Sequence, residues 1–197
     1  MTMLALLRHG ETQWSRLRRI QGRTDIELDD AGRAALKHCC LPEEFRSFSA
    51  VSSPLKRCVQ TADVLGLKDV TIEPRIAEMC WGQWEGRRLS ELRLELGGAM
   101  LANEALGLDF TPAGGESPRQ VFERVRPWLT EIARAGKPTL AVSHRGVIRV
   151  VFAAACAWDM RGRPPVKLDW SALHVFALDR SGHPSVARLN MPMGQAI

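Results

Sequence analysis

"LALLRHGET", residues 4–12, decides how the rest of the chain is read. Leu4, Ala5, Leu6 and Leu7 are apolar at every position, the pattern of a short strand buried on both faces. The run stops at Arg8 and His9, and Gly10 follows. A guanidinium beside an imidazole is costly to place at the edge of a core, and an anion held there offsets the cost. A second stretch repeats the form. "TLAVSHRG", residues 139–146, is an apolar strand that ends in a histidine, with a glycine close behind. In open α/β sheets, ligands bind beyond the carboxyl ends of the strands. His9 and His144 are therefore expected at one sheet edge.

Arginine repeats the theme. Arg8 ends the first strand, and Arg57 falls in the first turn of a helix expected after a second strand. A helix N-terminus already offers free N–H groups to an anion, and a guanidinium there adds a fork of donors matched to phosphate oxygens. Arg8, His9, Arg57 and His144 thus form one coherent anion-binding set. His38, His174 and His183 have no such setting and are read as ordinary core or surface residues.

The remaining elements follow from periodicity and caps. A helix is expected over 29–39 behind an Asp cap, and a strand over 48–53. The next helix is expected over 53–66, with Ser53 as N-cap, Pro54 at its first position and Gly66 at its end. Leu55, Val59, Ala62 and Leu65 share its apolar face. A strand over 69–74 precedes a loop over 76–86 that holds Trp81 and Trp84. Residues 88–108 read as one or two short helices broken at Gly97-Gly98, and 109–117 as a loop. A long helix follows over 117–136, with Val121, Val125, Trp128 and Ile132 inward and a kink expected at Pro127. A buried helix over 145–156 and strands over 168–179 and 184–190 complete the chain. Helices alternating with short apolar strands imply an α/β fold with a mostly parallel sheet.

Composition removes several function classes. The chain has 197 residues, 45% of them apolar and 25% charged, as in a soluble globular domain. No run approaches the length of a membrane span, and Arg8-His9 cuts "MTMLALL" too short for a signal peptide. The five cysteines include an adjacent pair and no CxxC, which argues against a disulfide framework or a zinc site. A reducing cytoplasm is the expected setting. The net charge is +5, and "SRLRRI" (15–20) is the densest basic patch. It lacks aromatic interleaving and any helix-turn-helix or zinc-finger spacing, so neither nucleic acid nor membrane is an expected partner.

Five blocks, "LLRHGET", "SSPLKRCVQTA", "EMCWGQWEG", "GGES" and "AVSHRGVIR", stand in this order over most of residues 3–150. Together they resemble the histidine phosphatase superfamily, also called phosphoglycerate mutase-like. They look most like the branch that holds α-ribazole phosphatase and other small-molecule phosphatases. The resemblance implies a three-layer sandwich with a mostly parallel sheet. It implies a single domain over 1–197, with a small helical cover at about 88–116. It also implies that His9 takes the phosphoryl group, for which it must be neutral, and nearby cationic arginines favour that state. Arg8, Arg57 and His144 would bind the phosphoryl oxygens. No cofactor or metal is expected, because arginines supply the charge.

Glu78 is the family-matched proton donor for the leaving alcohol, with Glu85 and Glu11 as competing carboxylates; Glu11 reads as structural, paired with a nearby arginine. Gln21 and Gly22, in "QGRTDIELDDAG", would line the phosphate pocket. Many family members carry an asparagine after the tryptophan of "RHGETxW"; here Ser15 follows Trp14, and its shorter reach weakens that contact. Trp81 and Trp84 either pack the core or stack on substrate. The expected activity is hydrolysis of a small phosphomonoester, α-ribazole phosphate or a related metabolite, by a monomer or homodimer. Phosphoglycerate mutase-type transfer and an inactive phosphate-binding regulatory module are the alternatives.

Overall fold

β1 (Thr2–Arg8) is a strand for the reason its sequence suggests: Leu4, Ala5, Leu6 and Leu7 are all buried, so both of its faces need cover. In the computed structural model, which describes residues 1–195, it is followed by α1 (Gln13–Arg16), α2 (Asp30–Lys37), β2 (Cys39–Cys40), β3 (Ser49–Ser52), α3 (Lys56–Val64) and β4 (Thr71–Ile72). Then come α4 (Leu89–Glu104), α5 (Pro118–Ala135), β5 (Thr139–Ser143), α6 (Arg145–Ala155), β6 (Leu173–Leu178), β7 (Pro184–Met191) and β8 (Gly194–Gln195). The main sheet has the order β4-β3-β5-β1-β6-β7. β4, β3, β5 and β1 run parallel, and β6 and β7 are antiparallel additions.

The register between β1 and β5 positions the site. Leu4 lies opposite Thr139 and Arg8 opposite Ser143, so His9 and His144 leave the sheet at the same level. The His9 N–H closes the ladder on the Ser143 carbonyl at 3.0 Å. Side chains alternate along β1. Leu4 and Leu6 pack with Val121, Val125 and Leu129 of α5 and with Ile148 and Phe152 of α6. Ala5 and Leu7 face the opposite side, with Leu41, Phe45 and Val175. Helices therefore flank both faces of the sheet. No helix among the described residues is long and apolar enough to cross a membrane.

Several boundaries differ from expectation. α3 begins at Lys56, with Leu55 as an N-cap that makes no side-chain bond. Ser53 lies two residues before that cap; its hydroxyl accepts the Leu55 N–H at 3.3 Å and lies 2.7 Å from His144 Nε2. The buried face of α3 is Arg57, Cys58, Thr61 and Ala62, while Val59 is exposed. That turn of the helix faces the polar site as well as the apolar core. β4 has only two residues, and residues 168–172 form a turn before β6 instead of its first half. α5 carries a Ser117–Gln120 capping box and a left-handed Gly136 at its end; it stays continuous through Pro127. α4 is broken where expected, at Gly97, whose φ is +49°.

α2 is seated against the loop that follows β1. Asp29 caps it by accepting from the Gly32 N–H at 2.8 Å, and the Asp29 N–H donates to the Glu11 carbonyl at 3.2 Å. A Cβ on Gly32 would stand 2.2 Å from that same carbonyl oxygen. Backbone cannot swing aside like a side-chain tip. Gly32→Ala is therefore expected to cost about 1–3 kcal/mol, as overpacking typically does, measured as a lower urea midpoint with an unchanged slope. Wild-type stability in this variant would show that the α2 contact is slack.

Candidate active site

His9 sits at the mouth of β1 and is 6% exposed. Its Nδ1 lies 2.7 Å from the Gly10 carbonyl. A carbonyl only accepts, so Nδ1 carries the proton and Nε2 presents its lone pair. Burial lowers the imidazole pKa well below its usual value, and the charges of Arg8 and Arg57 lower it further. The ring is neutral at physiological pH, as a nucleophile must be. The Gly10 N–H donates to Thr61 Oγ1 at 2.9 Å, and that hydroxyl donates to the Arg57 carbonyl at 2.6 Å. The turn holding His9 is thereby bolted to α3.

Arg57 is fully buried. Nη2 donates to the Gly22 carbonyl at 2.7 Å, Nη1 to the Thr24 carbonyl at 2.9 Å, and Nε to His144 Nδ1 at 3.3 Å. His144 stands beside His9 with ring centroids 5.2 Å apart, and burial and the Arg57 charge lower its pKa well below the imidazole range too. Among the described residues, Arg8 Nε and Gln21 Oε1 are buried with no hydrogen-bond partner. Arg8 feels Arg145 as the strongest of its neighbouring charges. Cys58 Sγ lies 3.3 Å from His144 Nε2, but burial pushes this thiol up, so it stays protonated and is no nucleophile.

Glu78 faces this cluster from the loop after β4 and is 8% exposed. Its Oε1 accepts the Met79 N–H at 2.8 Å and the Gly146 N–H at 3.0 Å. Burial nevertheless raises its pKa, outweighing these amides and the charges of Arg57 and Arg8. Burial thus favours the protonated carboxyl and the neutral imidazole, the pairing required of a general acid beside a nucleophile. The Glu78 carbonyl accepts Arg23 Nε and Arg124 Nη2, both at 3.1 Å. Glu116, of the "GGES" block, accepts Arg124 Nε at 3.0 Å and the Cys80 N–H at 2.9 Å. Arg124 and Glu116 therefore hold the loop that aims Glu78, and the sequence reading missed them. The spacing of Glu116 to Arg124, two turns along the start of α5, was the available signal.

The other expected residues divide. Gly22 lies at the cluster with φ +54°, its carbonyl held by Arg57. Ser15 does not reach toward the cluster. Its hydroxyl donates to the Thr12 carbonyl and accepts the Thr12 N–H, both at 2.9 Å, as the capping box of α1. Glu85 is not free to move a proton. It accepts the backbone N–H of Arg23 and Thr24 at 2.8 Å and of Trp81 at 3.1 Å, and the Thr24 hydroxyl as well. It pins the Gln21–Thr24 loop to the tryptophan loop. Glu11 is exposed, and the nearby Arg16 pairs with Asp29 instead. Trp84 is buried, and with Trp81 and Phe110 it forms an aromatic group packed on Leu92 and Met100 of α4. Trp84 is core, while Trp81 and Phe110 are half-buried against it.

Residues 4–192 match the family model described as the histidine phosphatase superfamily (branch 1). A phosphoglycerate mutase-like protein 4 of Arabidopsis thaliana is 32% identical over 163 residues, 77% of this chain and 70% of that one. A glucosyl-3-phosphoglycerate phosphatase of Mycolicibacterium vanbaalenii is 32% identical over 166 residues, 77% of this chain and 72% of that one. The solved phosphoserine phosphatase of Entamoeba histolytica in complex with 3-phosphoglyceric acid superposes with a TM-score of 0.78 at 29% identity, covering 96% of this chain and 97% of that one.

The two buried histidines give a direct check. A free imidazole titrates near 6.5, and burial plus arginine charge depress His9 and His144 well below that. Their ring nitrogens are expected to keep neutral-state NMR shifts as the pH falls from 8 to 5.5. A ring titrating near 6.5 would contradict the electrostatics described.

Proposed function

The chain belongs to the histidine phosphatase superfamily and is a phosphatase of that type acting on small phosphates, and from that premise we propose that it hydrolyses a phosphomonoester through a phosphohistidine on His9. The observation that carries this reading is the Nδ1–H of His9 held on the Gly10 carbonyl. It leaves the Nε2 lone pair of His9 free to attack.

In the proposed reaction, Nε2 attacks phosphorus in line, and the bond to the ester oxygen breaks as the N–P bond forms. Glu78 gives its proton to the departing alkoxide. Water then attacks the phosphohistidine while Glu78 takes a proton from it. Inorganic phosphate leaves, and both residues return to their starting states. Arg8 and Arg57 hold the phosphoryl oxygens and stabilise charge in the transferring group, so the charge is supplied by guanidinium groups. Gln21 and Gly22 line the same pocket. His144 donates to a phosphoryl oxygen when its proton is on Nδ1. Ser53 favours that tautomer by donating to Nε2 once an anion draws the Arg57 Nε–H away.

We read the chain as a single domain, with residues 88–116 as a cover over the site. The break at Gly97, followed by Gly98, supports an openable cover that admits water, which favours hydrolysis over transfer to a second hydroxyl. The names of the relatives favour phosphoserine and phosphoglycerate esters as first substrates to try, with α-ribazole phosphate beside them.

The test is a panel of phosphomonoesters, with excess chelator present, followed by an alkaline quench of enzyme and labelled substrate. Label on His9, lost in His9→Ala together with turnover, is the expected result. A long-lived phosphohistidine that converts 3-phosphoglycerate to 2-phosphoglycerate faster than it frees phosphate would make the chain a mutase. Arg57→Ala should lower turnover by roughly 10²-fold or more, the scale for losing one transition-state donor.

The pH profile follows from opposite requirements. Neutral His9 exists above its lowered pKa, and protonated Glu78 exists below its raised pKa. Turnover of alkyl phosphates should therefore hold well into acid and fall as pH rises through the Glu78 value. In Glu78→Gln that alkaline fall should vanish. Nitrophenyl phosphate, whose leaving group needs no proton, should be slowed much less than an alkyl ester. Equal losses on both substrates would remove Glu78 as the acid.

A further inference from the structure

Thr61, on α3, is fully buried, and its hydroxyl joins two parts of the site. It donates to the Arg57 carbonyl at 2.6 Å and accepts the Gly10 N–H at 2.9 Å. The first bond runs back to the carbonyl four residues earlier in the same helix. Such a back-bond is not needed by the helix ladder and slightly weakens it. Its effect here is on direction. The hydroxyl proton is committed to α3, so the oxygen meets the turn after β1 as an acceptor.

Gly10 is the joint that needs an acceptor. The His9 N–H is taken by the Ser143 carbonyl of β5 at 3.0 Å, and the Glu11 carbonyl takes the Asp29 N–H ahead of α2 at 3.2 Å. Between these two anchors, the Gly10 N–H ends on Thr61. The Gly10 carbonyl, on the other side of the same α-carbon, takes the proton of His9 Nδ1 at 2.7 Å. Fixing the N–H of a glycine restricts where its carbonyl can point. That carbonyl in turn fixes the plane of the imidazole and which nitrogen bears the proton. Three hydrogen bonds thus run from the main chain of Arg57 to the ring of His9. Gln60, the neighbour of Thr61, accepts the Leu28 N–H at 2.9 Å, and Leu28 pairs with Thr12. It braces the far end of the same turn and, among the described residues, has no bond to His9 or Gly10.

We propose that Thr61 is a positioning residue for the nucleophile: its hydroxyl sets the tautomer and aim of His9 and keeps them in register with Arg57. The proposal rests on the reading of His9 as the nucleophile, and adds to it a residue that touches neither substrate nor reacting atoms. In-line attack tolerates little error in the direction of the Nε2 lone pair, and a misplacement of about 1 Å can cost about 10²-fold in rate. With the hydroxyl gone, the Gly10 N–H is left buried without a partner, and the peptide turns to find one. Nδ1 then loses its fixed acceptor, and the proton divides between the two ring nitrogens. While Nε2 carries it, the ring cannot attack.

The experiment compares variants that differ by one group. Thr61→Ser loses only the methyl, Thr61→Ala loses the hydroxyl as well, and Thr61→Val keeps the shape without the hydroxyl. Turnover of nitrophenyl phosphate is expected to stay within about threefold of wild type in Thr61→Ser, and to fall by about 10- to 100-fold in Thr61→Ala and Thr61→Val, through kcat. Competitive inhibition by inorganic phosphate, which reads the arginines, should change by less than about threefold. Nitrogen-15 shifts of His9 should show one protonated and one bare nitrogen in wild type and Thr61→Ser. In the variants without a hydroxyl they should show two partly protonated nitrogens. Gln60→Met, which loosens the same turn elsewhere, should lower the urea midpoint and leave the His9 shifts alone. Should Thr61→Val fail to fold, the Ser and Ala variants carry the comparison; failure of both hydroxyl-free variants to fold overturns the proposal. A change in turnover or in the shifts without the other also overturns it. So does phosphate affinity falling in step with kcat, or the same tautomer change in Gln60→Met. Wild-type behaviour in a folded hydroxyl-free variant refutes it outright. If the wild-type chain hydrolyses no ester, the phosphatase reading fails, and the shifts alone decide whether Thr61 positions His9.

Discussion

A buried cation without a carboxylate is the constraint around which this molecule is arranged. Arg57 has no exposure, yet its donors end on two carbonyls of the Gly22–Thr24 loop and on a neutral imidazole. Burying a guanidinium this way costs several kcal/mol more than burying a paired one. The cost is tolerable because the same donors organise three segments far apart in sequence: the loop before α2, the start of α3 and the end of β5. The parallel register of β1, β5 and β3 brings those segments to one edge, and Arg57 ties them there. Its charge then acts on His9, His144 and Glu78 together.

Carboxylates do the opposite work. Glu85 and Glu116 each gather several donors from loops that have no regular hydrogen-bond ladder of their own. An ionised carboxylate only accepts, with room for several N–H groups, so one residue can satisfy the backbone of two loops at once. Glu85 joins the pocket loop to the tryptophan loop. Glu116, through Arg124, joins the tryptophan loop to α5. The loop that carries Glu78 is thus held by two other carboxylates whose oxygens are taken up by backbone and arginine donors. The spread between structural and chemical roles comes from how many donors each acid already serves, a property set wholly by tertiary contacts.

That difference explains what the sequence disclosed. β1 and β5 were legible because four or five consecutive apolar residues leave few alternatives, and the histidines at their ends followed directly. α2 and α5 were legible because Asp29 and Ser117 act as caps through local bonds. The start of α3 was misread because the Ser53 hydroxyl accepts the Leu55 N–H, ahead of the first helical turn, and also meets His144, 91 residues away. Glu85 and Ser15 looked available for the same reason: their partners are defined by the fold or by a short box at Thr12. β2 and β8 were invisible to pattern reading, since the pair joins Cys39 to Gln195 across nearly the whole chain. The family blocks contain Glu85 and Glu116, but their pattern does not show which donors each serves, and Arg124 lies outside the blocks.

One environment sets both ends of the proposed proton economy. Burial disfavours whichever form of a group is charged, so it pushes an imidazole toward losing its proton and a carboxyl toward keeping one. The neighbouring arginines do not act alike on the two. They reinforce burial at His9, where the charged form is a cation, and oppose it at Glu78, where the charged form is an anion. His9 is therefore held neutral by two concurring effects, whereas Glu78 stands on a balance between two opposed ones. A phosphoryl anion entering between them changes that balance in one direction. By neutralising Arg8 and Arg57, it removes the attraction that favours ionised Glu78 and strengthens the hold of the carboxyl on its proton. In the proposed reaction, substrate binding would thus favour the protonated form of Glu78, the form that can serve as the acid.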